Sequence, residues 1–357
     1  MDERDAMTLA LDLAWRGWGR VHPNPMVGAV VLAKGVVAGE GWHAELGGRH
    51  AEPVALEGAG ERARGATLVV TLEPCNHRGH QPPCTEAIVR AGIRRVVAAM
   101  ADPNPEASGG AARLESLGLQ VEVGLGREAA TAQNAIFLHR FRNQARPFVA
   151  LKLATSLDGR IADSAGQSRW ISGEPARDFV HWLRAGFDAI GVGGRTVRAD
   201  DPRLTVRGSV VPRVPPRRVI FDVGADLDPQ LDLIRTAPQT ATIVVTGVEA
   251  PRERVDRLTA AGVTVLPAAS LDEGLRLLRT EGVGSLLVEG GGRLAGALLG
   301  LGLVDRYYWV QSPLWLGDRG IPATAGLPSD PIARAERWTV AERRALGEDT
   351  LLVLDRR

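Results

Sequence analysis

Apolar residues along the chain fall into short runs separated by polar helical stretches and glycine-rich turns, a pattern that predicts layered α/β structure. The opening MDERDAMTLALDLAW has the periodicity of an amphipathic helix. MVGAVVLAKGVVAGEGWH then gives two apolar runs broken at Lys34-Gly35, the pattern of a β-hairpin. A helix near Glu52 to Ala63, strand TLVVTL, a helix from about Thr85 to Ala91, strand RRVVAAM, a helix near Ala111 to Leu117 and the run LQVEVG follow. The segment HRFRNQARP is polar and ends at Pro147. Beyond it, FVALKLATSLDGRIA starts a fresh strand and hairpin with Asp158-Gly159 as the turn. The domain boundary is therefore placed near Gln144 to Arg146, giving domains 1–145 and 146–357. The second domain alternates again, with strands at DAIGVG, RRVIFD, TIVVTG, VTVLP, SLLVEG and RYYWVQ and an exposed loop at VPRVPPRR. No fixed-period repeat or low-complexity tract interrupts this order.

Composition narrows the function. At 357 residues and 45% hydrophobic content the chain is long enough for two domains with real cores. The 43 basic and 42 acidic residues nearly cancel, so nothing marks the whole chain as a partner for a nucleic-acid backbone or a membrane surface. The acidic N-terminus lacks the basic start and apolar run of a signal peptide, and no run approaches the roughly 20 apolar residues of a spanning helix. A cytoplasmic protein acting on small ligands is expected. Its two cysteines, Cys75 and Cys84, are then reduced thiols, free for metal binding or chemistry.

Both cysteines lie in TLEPCNHRGHQPPC, downstream of GGRHAEPVAL. His50-Ala51-Glu52, then Pro74-Cys75 and Cys84, resemble the zinc deaminase signature H-x-E followed by P-C-x-x-C, with a longer gap between the cysteines. His50 and Cys84 each fall where a helix is about to begin, and the free N–H groups there favour a thiolate. Three ligands leave one position open for water, whose pKa a zinc ion brings to about 7. Glu52, two residues from His50, does not share its helical face and is free to act as acid and base. Inert buried cysteines and a structural zinc site are the competing readings. His22, His139 and His181 match no pattern and are read as core or surface residues.

At this point HPNPMVGAVV, GGRHAE and TLEPCNHRGHQPPC closely resemble the deaminase half of the bifunctional riboflavin-biosynthesis deaminase/reductase family, to which the longer cysteine gap belongs. RPFVALKLATSLDGRIA, SRWISG, DAIGVGGRTVRADDPRLTVR and SLLVEGGGRLAGALL resemble its reductase half, in collinear order over nearly the whole chain. The resemblance implies a cytidine-deaminase-like three-layer domain and a dihydrofolate-reductase-like α/β domain. It implies zinc-dependent deamination of 2,5-diamino-6-ribosylamino-4(3H)-pyrimidinone 5′-phosphate. It also implies NADPH reduction of 5-amino-6-(5-phosphoribosylamino)uracil to the ribityl product. By position, Asn24, His43 and His77 line the deaminase pocket. His80 stands where the family commonly carries Lys or Arg, a cation for the substrate phosphate.

In the second half, Lys152 is one of two lysines among the 43 basic residues and interrupts an apolar strand, where a cation is costly without a partner, so it is expected to face the substrate. Its alternative is a lysine snorkelling from an edge strand. Glu289 ends the strand SLLVE and opens GGGRLAG, a strand, glycine turn and helix suited to a phosphate. No acid stands about twenty residues beyond Gly290 to hold a free ribose 2′-hydroxyl, so an NAD-type Rossmann unit is not supported. The resemblance places NADPH contacts at Ala154, Trp170, Thr196, Asp200, Gly291, Gly292 and Arg293. It places substrate contacts at Ser168, Arg184, Leu204, Arg207 and Glu289. Arg184 and Arg207 suit a ribose-linked phosphate because a guanidinium can grip it through two hydrogen bonds. Arg195, before Thr196, and Val223, after Asp222, depart from the residues usual there. Lys152, Glu289 and Glu52 are the expected catalytic side chains. The partners expected are pyrimidine ribotides and further copies of the chain in a homo-oligomer, with neither nucleic acid nor membrane. Two other readings stay open: an RNA base deaminase with a C-terminal binding module, and a regulatory protein stapled by structural zinc.

Overall fold

The computed structural model describes residues 1–79 and 81–357, and its contacts divide the chain into two compact units, Met1–Arg142 and Asn143–Arg357. The first opens on α1 (Glu3–Ala14), capped by Asp2, whose carboxylate accepts from the backbone of Arg4 and Asp5. Its apolar stripe, Ala6, Met7, Ala10, Leu13 and Ala14, is buried. Then come β1 (Gly28–Ala33), β2 (Val36–Trp42), α2 (Ala51–Ala59), β3 (Thr67–Val70), α3 (Cys84–Arg90), β4 (Arg95–Ala98), α4 (Gly110–Ser116), β5 (Gln120–Val123), α5 (Arg127–Gln133) and α6 (Ala135–Arg142). The sheet order is β2-β1-β3-β4-β5; β1 runs antiparallel to both neighbours, and β3, β4 and β5 are parallel. Lys34 and Gly35 both take positive φ, 51° and 78°, as a two-residue hairpin turn with the strands' twist requires.

Helix α2 lies directly on β2. A Cβ at Gly41 would come within 2.3 Å of the Ala51 carbonyl, and one at Gly39 within 2.1 Å of the Ala55 carbonyl. Bare glycine surface on the strand lets the helix settle against it, and the first turn of that helix carries His50 and Glu52.

The second unit contains β6 (Phe148–Thr155), β7 (Arg160–Ala162), α7 (Glu174–Arg184), β8 (Ala189–Gly193), α8 (Gly194–Asp200), β9 (Arg217–Phe221), α9 (Asp232–Arg235), β10 (Thr242–Gly247), α10 (Arg252–Ala260), β11 (Thr264–Ala268), α11 (Leu271–Thr280), β12 (Ser285–Glu289), α12 (Gly292–Gly300), β13 (Arg306–Gln311), β14 (Ile321–Pro322), β15 (Thr339–Leu346) and β16 (Asp349–Asp355). Nine strands form one sheet in the order β11-β10-β9-β8-β12-β6-β13-β16-β15, parallel from β11 to β13 with an antiparallel hairpin at the edge. Successive residues feed opposite cores: Val219 and Phe221 pack on one side, Ile220 on the other. Burial of both faces explains why these strands read as continuous apolar runs.

Two expectations are corrected. HRFRNQARP is not polar linker from its first residue: His139 to Arg142 complete α6, with Phe137, Leu138 and His139 buried. β6 and β7 do not form a hairpin, because β7 leaves the sheet to pair with β14. The Asp158-Gly159 turn is real, with Gly159 at φ 72°, but the Asp158 carboxylate accepts from the backbone of Leu316 and Gly317 and ties the turn to a distant loop.

Candidate functional sites

In the first unit, the stretch after β3 crosses the N-termini of α2 and α3. His50 is the N-cap of α2 and Cys84 the first residue of α3. Nδ1 of His50 lies 3.2 Å from Sγ of Cys84 and 3.6 Å from Sγ of Cys75, and the three donor atoms all fall within 4.8 Å of one another. Tetrahedral zinc with ordinary Zn–N and Zn–S bonds separates such ligand atoms by about 3.5 Å, so the donors are already at ligating distance. Among the described residues this is the group suited to a metal, and its three ligands with a carboxylate beside them are the donor set of a catalytic zinc.

Cys75 is held well below the usual thiol range by the Cys84 side chain, then by His50 and by the Cys84 backbone N–H, which donates to its sulfur at 3.4 Å. Cys84 is pushed up by Cys75 and by burial. The imidazole of His50 is raised by its bond to Cys75. Glu52, 4% exposed, is raised to about 7 by burial, partly opposed by His50. A carboxyl with that affinity can hold a proton and release it near neutral pH.

Around this centre, His43 stacks edge-on to His50 at 5.6 Å, gives its Nδ1 to the Arg49 carbonyl at 3.0 Å, and meets the Asn24 amide at 3.4 Å. The turn bearing Asn24 is pinned from outside: both amide atoms of Asn134 bond the backbone of Met26, and Arg140 donates to the Pro23 carbonyl. Nδ1 of His77 is buried without a hydrogen-bond partner among the described residues. His80 lies outside the described residues. Two carboxylates escaped sequence reasoning. Glu73, inside the quoted TLEPC, accepts from the backbone of Asp102 and Ala111 at 3.0 and 2.9 Å. Asp102, raised to about 6 mainly by burial, lies in electrostatic reach of Cys75 and His77. An acid within a cysteine motif was the available signal for Glu73; Asp102 had none.

In the second unit, a cleft of about 1650 Å³ runs across the C-terminal ends of β12, β8, β9, β10 and β11, where open α/β sheets bind ligands. All the expected reductase side chains line it. Ala154, Thr196, Asp200, Gly291, Gly292 and Arg293 are there, as are Ser168, Leu204, Arg207, Lys152, Arg184 and Glu289. Trp170 stands at the rim, 70% exposed, with the Arg177 guanidinium 4.5 Å over its ring. Arg195 and Val223 also line the cleft. The glycine turn fits a phosphate-bearing cofactor: Gly290 and Gly291 take positive φ, and a Cβ at Gly291 would press to 3.1 Å from the Thr196 hydroxyl. The α12 N-terminus has no side-chain cap, leaving its N–H groups to a ligand.

Lys152 and Glu289 sit opposite each other in the β6–β12 register. Burial pushes the Lys152 ammonium down while Glu289 pulls it back. Burial also pushes Glu289 up, but Arg184 and Lys152 more than offset this and hold it below the usual range. Arg184 grips Glu289 with Nε and Nη2 at 2.6 and 2.8 Å and gives Nη1 to the Thr205 carbonyl at 2.8 Å, leaving one N–H on each terminal nitrogen for another acceptor. His181, read from the sequence as core or surface, instead lines this cleft.

Residues 1–100 match the family model "Cytidine and deoxycytidylate deaminase zinc-binding region", and residues 147–352 match "RibD C-terminal domain". The riboflavin biosynthesis protein RibD of Aquifex aeolicus is 40% identical over 99% of this chain and 98% of its own, and that of Escherichia coli is 39% identical over 99% of each. Among solved structures, Acinetobacter baumannii RibD superposes with a TM-score of 0.81 at 34% identity, covering 99% of both chains. A deaminase/reductase from Thermotoga maritima gives 0.83 at 34% identity, covering 99% of this chain and 98% of that one. Fold and sites thus define a two-site enzyme class, a zinc deaminase unit followed by a dihydrofolate-reductase-like unit that uses NADPH. Within that class, the chain belongs to the RibD family of riboflavin-biosynthesis deaminase/reductases.

Proposed function

We propose that residues 1–145 deaminate 2,5-diamino-6-ribosylamino-4(3H)-pyrimidinone 5′-phosphate and that residues 146–357 reduce the product, 5-amino-6-(5-phosphoribosylamino)uracil. The observation that carries this reading is the convergence of His50, Cys75 and Cys84 beside the buried carboxyl of Glu52. Zinc, when bound by the imidazole and two sulfurs, supplies the Lewis acidity that makes water nucleophilic near neutral pH. Glu52 takes the proton from that water and returns it to the amine nitrogen that leaves. Asn24 and His43, already in contact, present an amide and an imidazole to the pyrimidine edge, and His77 offers its unpartnered nitrogen. These contacts orient the ring so that the exocyclic amine faces Glu52.

In the other unit, NADPH, when bound, supplies the hydride. Thr196, Asp200 and the Gly291, Gly292, Arg293 turn hold it, with Ala154 and Trp170 flanking. Lys152 and Glu289 exchange a proton with the opened ribose. Arg207 and the spare N–H groups of Arg184 hold its phosphate, and Ser168 and Leu204 complete the pocket wall. The same proposal includes a cytoplasmic protein that assembles as a homo-oligomer and binds no nucleic acid. No helix among the described residues is long and apolar enough to cross a membrane.

The crossed pattern of two variants tests the assignment. Cys75→Ser should lose zinc and ammonia release while still oxidising NADPH with the deaminated ribotide. Lys152→Ala should do the reverse. Loss of both activities in either folded variant contradicts two independent sites.

A further inference from the structure

The C-terminal turn of α7 reaches across the reductase cleft to the irregular loop that follows α8. Nδ1 of His181 accepts a hydrogen bond from the backbone N–H of Arg207 at 3.2 Å. Arg184, one helical turn further along, donates to the carbonyl of Thr205 at 2.8 Å. One helix end therefore grips the loop at two points two residues apart, in a stretch without helix or strand of its own. The loop is bent inward there: Leu204 takes a left-handed φ of 51° and is 5% exposed, and both Leu204 and Arg207 line the cleft. Neither motif nor resemblance gave His181 a role.

We propose that His181 is a positioning residue for the ribose-phosphate end of the substrate: its neutral imidazole anchors the Arg207 backbone and thereby aims the Arg207 guanidinium into the cleft. This rests on the reductase reading of the second unit. An imidazole can accept at Nδ1 only while that nitrogen carries no proton, so the anchor exists in one protonation state. The groups facing the ring are Arg184 on its own helix, Arg207 and the Thr205 carbonyl on the loop, and Glu289 at the end of β12. Burial and the two guanidiniums hold His181 below its ordinary 6.5, outweighing Glu289 and the Thr205 carbonyl. At pH 7 the ring is neutral and the anchor is made. In acid the ring gains a proton, Nδ1 becomes a donor that can no longer accept from the Arg207 N–H, and that anchor on Arg207 is lost.

Steady-state NADPH oxidation with the deaminated ribotide as varied substrate, from pH 5.5 to 8, tests this on the full chain. His181→Leu should raise KM roughly five- to tenfold, the effect of losing one hydrogen bond, with kcat much less affected. NADPH affinity, read by quenching of tryptophan fluorescence, should stay near wild type. His181→Asn, whose amide oxygen still accepts from Arg207, should restore KM at neutral pH. The substrate phosphate itself titrates near pH 6, so both proteins lose affinity in acid. The wild type should lose more, because the Asn variant has no ring to protonate. A wild-type KM in His181→Leu, or superimposable KM profiles for wild type and His181→Asn, overturns the inference. If His181→Leu does not fold, the two profiles decide alone. Failure of the wild type to reduce the ribotide at all would instead overturn the reductase reading.

Discussion

Glu52 and Glu289 are two buried glutamates pushed in opposite directions by their neighbours. Around Glu52, burial dominates and raises the carboxyl to about 7. Glu52→Gln should keep the metal, since Glu52 is not among the ligating donors, yet lower deamination by about 10²- to 10⁴-fold. Zinc analysis of the purified variant beside an ammonia-release assay checks both halves. Glu289 is depressed, because Arg184 and Lys152 outweigh burial. A carboxyl whose folded pKa lies below its unfolded value contributes stability above about pH 4.5, and that contribution is lost as pH falls through the folded value. Glu289→Gln should therefore flatten the acid limb of the stability curve below about pH 4.5, measured by urea unfolding. An unchanged acid limb would show that the Arg184 pair does not stabilise the fold. Lys152 and Glu289 were each visible in sequence as a charge inside an apolar run, since burying a lone charge is too costly to be incidental. Asp102 was not visible, because it follows an ordinary strand end and is raised mainly by burial in the folded chain, with Glu73 and Cys75 adding to it across space.

At the scale of elements, the metal centre depends on where α2 and α3 start. Gly39 and Gly41 set the first of these by allowing α2 to touch β2. Gly41→Ala puts a methyl into the Ala51 carbonyl and the Ala55 amide, backbone atoms that cannot rotate away. It should cost about 1–3 kcal/mol or more and shift His50 from the two sulfurs. A lowered melting temperature with weakened zinc affinity is the expected result, and full retention of both would contradict this packing. Strand and helix positions were legible because period-2 and helical apolar patterns follow directly from backbone geometry. The misread elements share a cause. His139 to Arg142 look polar because α6 buries only one stripe, and Arg140 finds its partner, the Pro23 carbonyl, far away in the chain. β7 looks like half of a hairpin because an Asp-Gly turn is a local signal, whereas its true partner β14 lies about 160 residues away.

For the molecule as a whole, the two sites are built on separate compact units, each with its own sheet and core. Removing zinc with a chelator should abolish deamination while leaving NADPH oxidation with the deaminated ribotide intact, and added zinc should restore the first activity. Coupled loss of both would show that the metal also stabilises the reductase unit.

The alternation of strands and helices as far as β13, the existence of two α/β domains and the choice of His50, Cys75 and Cys84 as metal donors were legible in the sequence alone, because periodicity, turn chemistry and the rarity of cysteine and lysine are local or compositional facts. Tertiary structure alone decided which strand pairs with β7, that Arg184 is occupied by Glu289, that Asp102 lies in electrostatic reach of Cys75, and that His181 reaches the Arg207 loop. Each of these depends on atoms far apart in the chain meeting in space, where burial and neighbouring charges set the proton affinities that no linear pattern records.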